Sequence, residues 1–270
     1  MLIETDRLCL RPVAADDTSK IAQVVFADPN VVGMLAHNTK DPDTAYAEAE
    51  RWTKIMGIDG DGGIWDEGGM GLFAVVPKGA DDSLAGVAGF YMERNEHGRW
   101  NGEYFYALGT AWHSLGLMSE AADAFGKKLG SMDDLGVIYA LYWDMINQAS
   151  GRVIQRTGLS PKGRKPITEE YDAGKCRNMF EYDLWRLSEA EPGKDRDKVL
   201  VQVSRRSGGF VGEGVLEKEE ALQALAIHYG SKTLTSSATS MFEMALSQPG
   251  MAYFEIRGDG ERGTPVNRLG

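Results

Sequence analysis

Two short stretches of this 270-residue chain hold residue types whose order could do chemistry. In the first, His113-Ser114-Leu115-Gly116 runs straight into Leu117-Met118-Ser119-Glu120-Ala121, which reads as the opening of a helix. A tight loop ending at a glycine and feeding a helix gathers several unpaired backbone N–H groups at the positive end of the helix dipole. Such a place favours an anionic group, most often a phosphate. In the second stretch, VIYALYW is apolar on both faces, as expected for a strand in the middle of a covered sheet. Asn147 and Ser150 follow where that strand gives way to the next helix.

Other reactive residues form no comparable pattern. Asp59, Asp61, Asp66 and Glu67 lie in the glycine-rich segment 57–71, but their spacing does not match a calcium-binding loop, so a flexible loop and no metal are expected. Cys9 and Cys176 have no metal-ligand spacing, and a disulfide between them cannot be argued from sequence. His113 could titrate beside a phosphate or be an ordinary loop histidine. No Ser/His/Asp or Cys/His nucleophile arrangement stands out.

Further residues extend the pattern. Glu103, Tyr106 and Leu108 fit E-x-G-Y-x-L, Gly116 to Ala121 fit G-[LI]-M-[ST]-E-A, and Asn147, Ser150, Val153 and Gly158 fit N-x-x-S-x-x-V-x-x-x-x-G, with the spacing kept throughout. Together they resemble the acetyl-CoA-binding core of the GNAT superfamily of N-acetyltransferases, closest to its RimJ/RimL branch, over roughly residues 2–186. The resemblance implies acetyl-CoA as co-substrate, with its pyrophosphate on the N–H groups of Ser114, Leu115, Gly116, Leu117, Met118 and Ser119 and its pantetheine arm on Asn147. It implies Glu103 as the base that deprotonates the amine, usually through water; otherwise Glu103 is a solvated strand-end carboxylate. Leu108 would give the N–H that meets the oxyanion. Most members protonate the leaving thiolate with a tyrosine, at a position held here by Ile154, so Ser150 takes that role or simply caps its helix. The loop departs from the pattern at His113, Ser114 and Leu115. Serine and leucine still supply N–H groups, but they make close approach of a phosphate harder than glycine does. Lys162, Arg164 and Lys165, or Arg152 and Arg156, could meet the 3′-phosphate. By the same resemblance the first two helices wall the acceptor site, with His37 and Asn38 facing the acceptor.

The elements that must position these residues follow from periodicity. Residues 7–12 read as a strand, 14–27 as a helix ended by Pro29, and Asp41-Pro42 as the cap of a second helix with the stripe Ala45, Ala49, Trp52, Met56. GLFAVVP, LAGVAGFYME and EYFYALG read as strands of a meander. PKGRKP reads as a basic loop and residues 176–186, with alternating apolar positions, as the closing strand. The fold class expected is therefore mixed α/β, GNAT-like, a twisted and mostly antiparallel sheet flanked by helices. That domain would span residues 1–186. A polar linker over 187–197 would lead to a small α+β extension over 198–270, in which KVLVQVSRR is a strand, KEEALQALAIHYG and SSATSMFEMALSQPG are helices and MAYFEIR is a last strand. The extension would pack on the core or build a homodimer.

Composition bounds the setting. The longest apolar runs are too short to cross a bilayer, and the start lacks a signal-peptide build, so a cytoplasmic protein without a membrane partner is expected. A net charge of −11 disfavours nucleic acid, for which the Arg205-Arg206 region would be the contact, and suits a cationic amine acceptor. The function expected is N-acetyl transfer to a primary amine, a protein N-terminus or an amino-acid-like small molecule. The alternative is an inactive GNAT-like binding module.

Overall fold

The computed structural model describes residues 1–35, 39, 41–60, 64–80, 83–144 and 146–258, apart from the side chain of Glu170. His37 and Asn38, expected at the acceptor, lie outside these residues. One sheet of eight strands organises the chain. Strands β1 (Ile3–Glu4), β2 (Leu8–Pro12), β3 (Leu72–Pro77), β4 (Gly86–Arg94) and β5 (Trp100–Leu108) pair antiparallel in that order. Strand β5 pairs parallel with β6 (Leu135–Tyr142). On the far side of β6 lies β8 (Met251–Arg257), antiparallel, and beyond it β7 (Ser160–Lys165) at the edge.

Both faces of the sheet are covered, which is why β3 and β6 carry apolar residues on both sides. In β3, Phe73 and Val75 join one core while Leu72, Ala74 and Val76 join the other. The first core lies under helices α4 (Leu117–Leu129) and α5 (Gln148–Arg156). Its centre is Phe125, fully buried, with ring centroids of Phe73 and Phe90 at 5.1 and 5.5 Å in edge-on geometry. The second core lies under α1 (Thr18–Ile21, running on into a π-helical turn Ala22–Phe26), α2 (Pro29–Val32) and α3 (Pro42–Met56). Asp41 caps α3 by accepting from the Thr44 N–H, and Ala45, Ala49, Trp52 and Met56 are all buried, as their spacing predicts. Pro29 opens α2 instead of only ending the helix before it.

The chain between β7 and β8 is a third packing unit. It contains α6 (Ile167–Glu170), α7 (Ala173–Glu189), α8 (Lys194–Gly212), α9 (Lys218–Tyr229) and α10 (Ser236–Ser247), with Met179, Phe180, Phe210 and Phe242 in its core. Four expectations are corrected here. Residues 176–186 are helix, not the closing strand, and the strand beside β6 is Met251–Arg257. Residues 198–206 are helix. The expected basic loop PKGRKP, 161–166, falls largely in an edge strand, Ser160–Lys165. The last strand belongs to the main sheet, so the helices form an insertion between its last two strands, not a separate α+β extension. Of the expected linker 187–197, only residues 190–193 lie between helices.

Candidate active site

The site originates where two strands part. Pairing between β5 and β6 runs from Trp100 with Leu135 to Glu103 with Tyr139 and goes no further. Strand β5 stays on β4 as far as Leu108, and β6 stays on β8 as far as Tyr142. The two strands therefore diverge, and a cleft of about 770 Å³ passes between them from one sheet face to the other. The N–H of Gly109 points to β4, where it donates to the Ala85 carbonyl at 2.9 Å. By strand alternation the N–H groups of Tyr106 and Leu108 point the opposite way, into the wedge. The Leu108 carbonyl accepts from Nε2 of His113 at 2.9 Å, so the histidine braces the strand end instead of facing solvent alone.

One end of the cleft is the loop that enters α4. Gly116 caps α4 with φ 74°, and no side chain caps the helix, so the first-turn N–H groups remain for a ligand. Ser114 also takes a left-handed conformation, φ 62°, the one a glycine would take without strain. The loop geometry thus survives the loss of that glycine. Ser114, Gly116, Leu117, Met118 and Ser119 line the cleft. Leu115 does not: its side chain is 52% exposed, and its carbonyl accepts from Nη1 of Arg7 at 2.8 Å. The same arginine meets Glu120 through Nε at 2.6 Å and through its backbone N–H at 2.8 Å. Burial pushes the Glu120 carboxyl up, but the Thr5 hydroxyl and these Arg7 contacts outweigh it and hold the group below the usual range. Arg7 and Glu120 thereby tie the loop to the first strands, a link that sequence spacing does not reveal because the two are 113 positions apart.

The floor of the cleft is the start of α5. Asn147 is the residue that caps it, its side-chain oxygen accepting from the Ser150 N–H at 3.3 Å, which leaves its amide donor for a ligand. Ser150 is buried and lines the cleft, with its hydroxyl beside the phenol of Tyr106. Its carbonyl accepts from the Tyr106 hydroxyl at 3.1 Å, across the wedge. The Tyr142 hydroxyl packs against Gly151, in the space a Cβ there would need. Burial raises the phenol pKa values of both tyrosines above the ordinary range. Ile154 stands buried beside them. Tyr106 was legible as part of the motif and Tyr142 as part of a buried strand, but their hydroxyls at this floor were not.

Glu103 lies on the other sheet face, flanked across the strands by Tyr91 and Tyr139. Val31, Met34, Leu35 and Trp52 from the first helices face it across the cleft. Glu103, Leu108 and Ser150 thus line one cavity together with Asn147 and the loop. Of the basic residues proposed for a 3′-phosphate, only Arg152 lines the cleft. Arg156 meets Asp123 at 3.4 Å, Arg164 meets Asp144 at 2.6 Å, and Lys165 lies over the rings of Tyr139 and Tyr253. Arg206, named as a nucleic-acid contact, is 2% exposed and ion-paired with Asp183, so it cannot meet a phosphate backbone. Among the described residues no group of three or more metal-ligating side chains occurs, and no helix is long and apolar enough to cross a membrane.

Residues 7–160 match the acetyltransferase (GNAT) domain family, more than half of the chain. The chain belongs to that family; it is an acyltransferase of the acetyl-CoA-dependent GNAT type. Among solved structures it is similar to a GNAT-family acetyltransferase from Bacillus anthracis, with 20% identity, 61% of this chain and 86% of that one covered, and a TM-score of 0.47. It is also similar to RimL, the ribosomal L7/L12 alpha-N-protein acetyltransferase in complex with coenzyme A, with 16% identity, coverage of 61% and 86%, and a TM-score of 0.47. A ribosomal-protein-S5-alanine acetyltransferase from Vibrio fischeri shares 18% identity over 62% of this chain and 86% of that one, with a TM-score of 0.46. No curated protein matches the chain.

Proposed function

We propose that the protein moves an acetyl group from acetyl-CoA to a primary amine by direct attack within a ternary complex, the acceptor being a protein N-terminus or an amino-acid-like small molecule. The observation that supports this is the single cleft that joins an uncapped helix N-terminus on one sheet face to Glu103 on the other through the splayed strands. Bound acetyl-CoA supplies the activated acetyl thioester. The first-turn N–H groups of α4 and the Asn147 amide hold it, with Arg152 as the cation nearest the floor. An alkyl amine has a pKa of about 10 and a protein α-amine about 8, so either is largely protonated near neutral pH, and Glu103 accepts that proton through a water before the nitrogen attacks. The Leu108 N–H, aimed into the wedge, stabilises the oxyanion as the nitrogen bonds to the carbonyl carbon. The carbon–sulfur bond then breaks, and the proton released by the newly bonded nitrogen reaches the thiolate, relayed by the Ser150 hydroxyl directly or through a water it holds, so that the hydroxyl is restored. The two free cysteines fit a reducing, cytoplasmic setting.

The test is calorimetric titration with acetyl-CoA and CoA, followed by a screen of amines for release of free thiol. A micromolar constant, roughly −8 kcal/mol, and thiol release with an amine are expected. Absence of binding to either compound would overturn the proposal and return the inactive binding-module reading.

A further inference from the structure

The cleft is charged differently from the chain that holds it. Against a net charge of −11 for the whole sequence, its lining among the described residues presents Arg51, Arg152 and Lys175 and one carboxylate, Glu103. Each cation has a different standing. Arg152 belongs to α5, beside Asn147, and so to the cofactor end. Arg51 is neutralised by Glu48 at 2.5 Å. Lys175 has no ion-pair partner among the described residues; its ammonium sits 4.5 Å from the centre of the Tyr171 ring. The neighbouring Asp172 is engaged in capping α7, its carboxylate accepting from the Lys175 N–H at 2.7 Å.

Lys175 and Tyr171 come from the helices inserted between β7 and β8, outside the residues that match the family. Tyr171 packs in the third core with Leu141 and Trp143, whereas the phosphate loop and α5 pack on the first. The lysine therefore stands on the acceptor side, away from the helix N-terminus that takes the cofactor phosphates. A cation laid on an aromatic face is already oriented, and it lacks only an anion to meet.

We propose that Lys175, set on Tyr171, reads an anionic group on the acceptor, so that the amine substrate also carries a carboxylate or a phosphate. This deepens the amine acetyltransferase reading above and rests on it. The inserted helices then contribute substrate selection to a cofactor site that the rest of the chain builds.

The test compares acceptors that differ only in the anionic group: an amino acid against its carboxamide, and phosphoethanolamine against ethanolamine, followed by thiol release with the full-length protein. The anionic member of at least one pair is expected to have a kcat/KM about tenfold higher. Lys175→Met should bring that ratio close to one, the loss falling mainly on the anionic member and the calorimetric constant for acetyl-CoA being kept, and Lys175→Arg should keep most of the ratio. Which pair shows the preference tells carboxylate from phosphate. Turnover of neutral and anionic members at equal rates, or an equal loss on both in Lys175→Met, would overturn this inference and leave the acetyltransferase reading standing. Failure to acetylate any amine would overturn both.

Discussion

The two arms of the cleft are made of different material. At the proposed cofactor arm the groups offered to a ligand are backbone N–H groups of the loop into α4, held by a left-handed turn and by Arg7 and Glu120 from behind. At the acceptor arm they are side chains, Glu103, Tyr91 and Trp52 from the sheet and first helices, and Tyr171 and Lys175 from the insertion. A backbone site tolerates a change of side chain provided the chain keeps its course, which is how serine can occupy Ser114. A side-chain site tolerates neither a lost group nor a shifted helix. Substitutions should therefore separate the arms: those in the acceptor arm change turnover or stability sharply, and those in the loop change affinity by smaller steps.

The largest effect is expected beneath the acceptor arm. Asp183 of α7 is fully buried between Arg186 at 3.5 Å and Arg206 of α8 at 3.4 Å. Burial raises its carboxyl pKa, and the two guanidinium groups pull against that rise. Arg206 also donates to the Gly33 carbonyl at the end of α2, and the Arg186 guanidinium fills the space a Cβ at Gly33 would need. The cluster thus fastens the inserted helices to the wall that carries Val31, Met34 and Leu35. Asp183→Ala leaves two buried cations without their counter-ion and should cost about 3–5 kcal/mol in urea unfolding. A loss under about 1 kcal/mol would show that the insertion is held by its apolar core alone.

Next in size is the chemistry. Glu103→Gln keeps the shape of the side chain and removes its basicity, so kcat should fall about 100-fold with an unchanged calorimetric constant for acetyl-CoA. Turnover at the wild-type rate would remove Glu103 from the mechanism and leave deprotonation to solvent.

The same contrast explains what the sequence made legible. The loop into α4, the cap at Asp41 and the strands of the meander are local patterns, each written within about ten residues, and the structure places them where those patterns predict. The insertion is not local in that sense. In α7 the buried stripe is Cys176, Met179, Phe180, Asp183, Arg186 and Leu187, a helical spacing with two charged residues inside it. Those charges hide the stripe, and the chance alternation of Phe180, Tyr182 and Leu184 with polar neighbours imitates a strand. In α8 the same thing happens: Val199, Val201 and Val203 alternate, while the true buried face runs through Leu200, Val203, Ser204, Ser207 and the ion-paired Arg206. A buried ion cluster is invisible until its partners are brought together. The topology was missed for the same reason, since 85 residues separate β7 from the strand that completes the sheet.

A smaller and pH-dependent effect is expected at the brace behind the loop. The folded pKa of Glu120 is held below its ordinary value of 4.5, so the stabilisation it gives is present above that pH and is lost as pH falls through the lower, folded value. Glu120→Gln should make the loop at neutral pH behave as the wild type does in acid. Acetyl-CoA affinity should fall by about tenfold, measured by titration at pH 7, and become insensitive to acid below pH 4.5. A variant whose affinity still declines over that range would place the acid sensitivity in another group.

The smallest effects test the backbone argument itself. Ser114 holds φ 62°, where a Cβ costs roughly 1 kcal/mol and stands in the way of a phosphate. Ser114→Gly removes both penalties but frees the unfolded chain, which returns about half of the gain. Stability should rise by no more than about 0.5 kcal/mol, and acetyl-CoA affinity by about threefold, because the N–H groups stay where they are and only the approach improves. Leu115→Ala, one residue along, should change affinity by less than about twofold, since its side chain points to solvent and only its carbonyl is used, by Arg7. If Leu115→Ala weakened binding more than Ser114→Gly strengthened it, the loop would be reading its ligand with side chains, and the two arms of the cleft would not differ in kind.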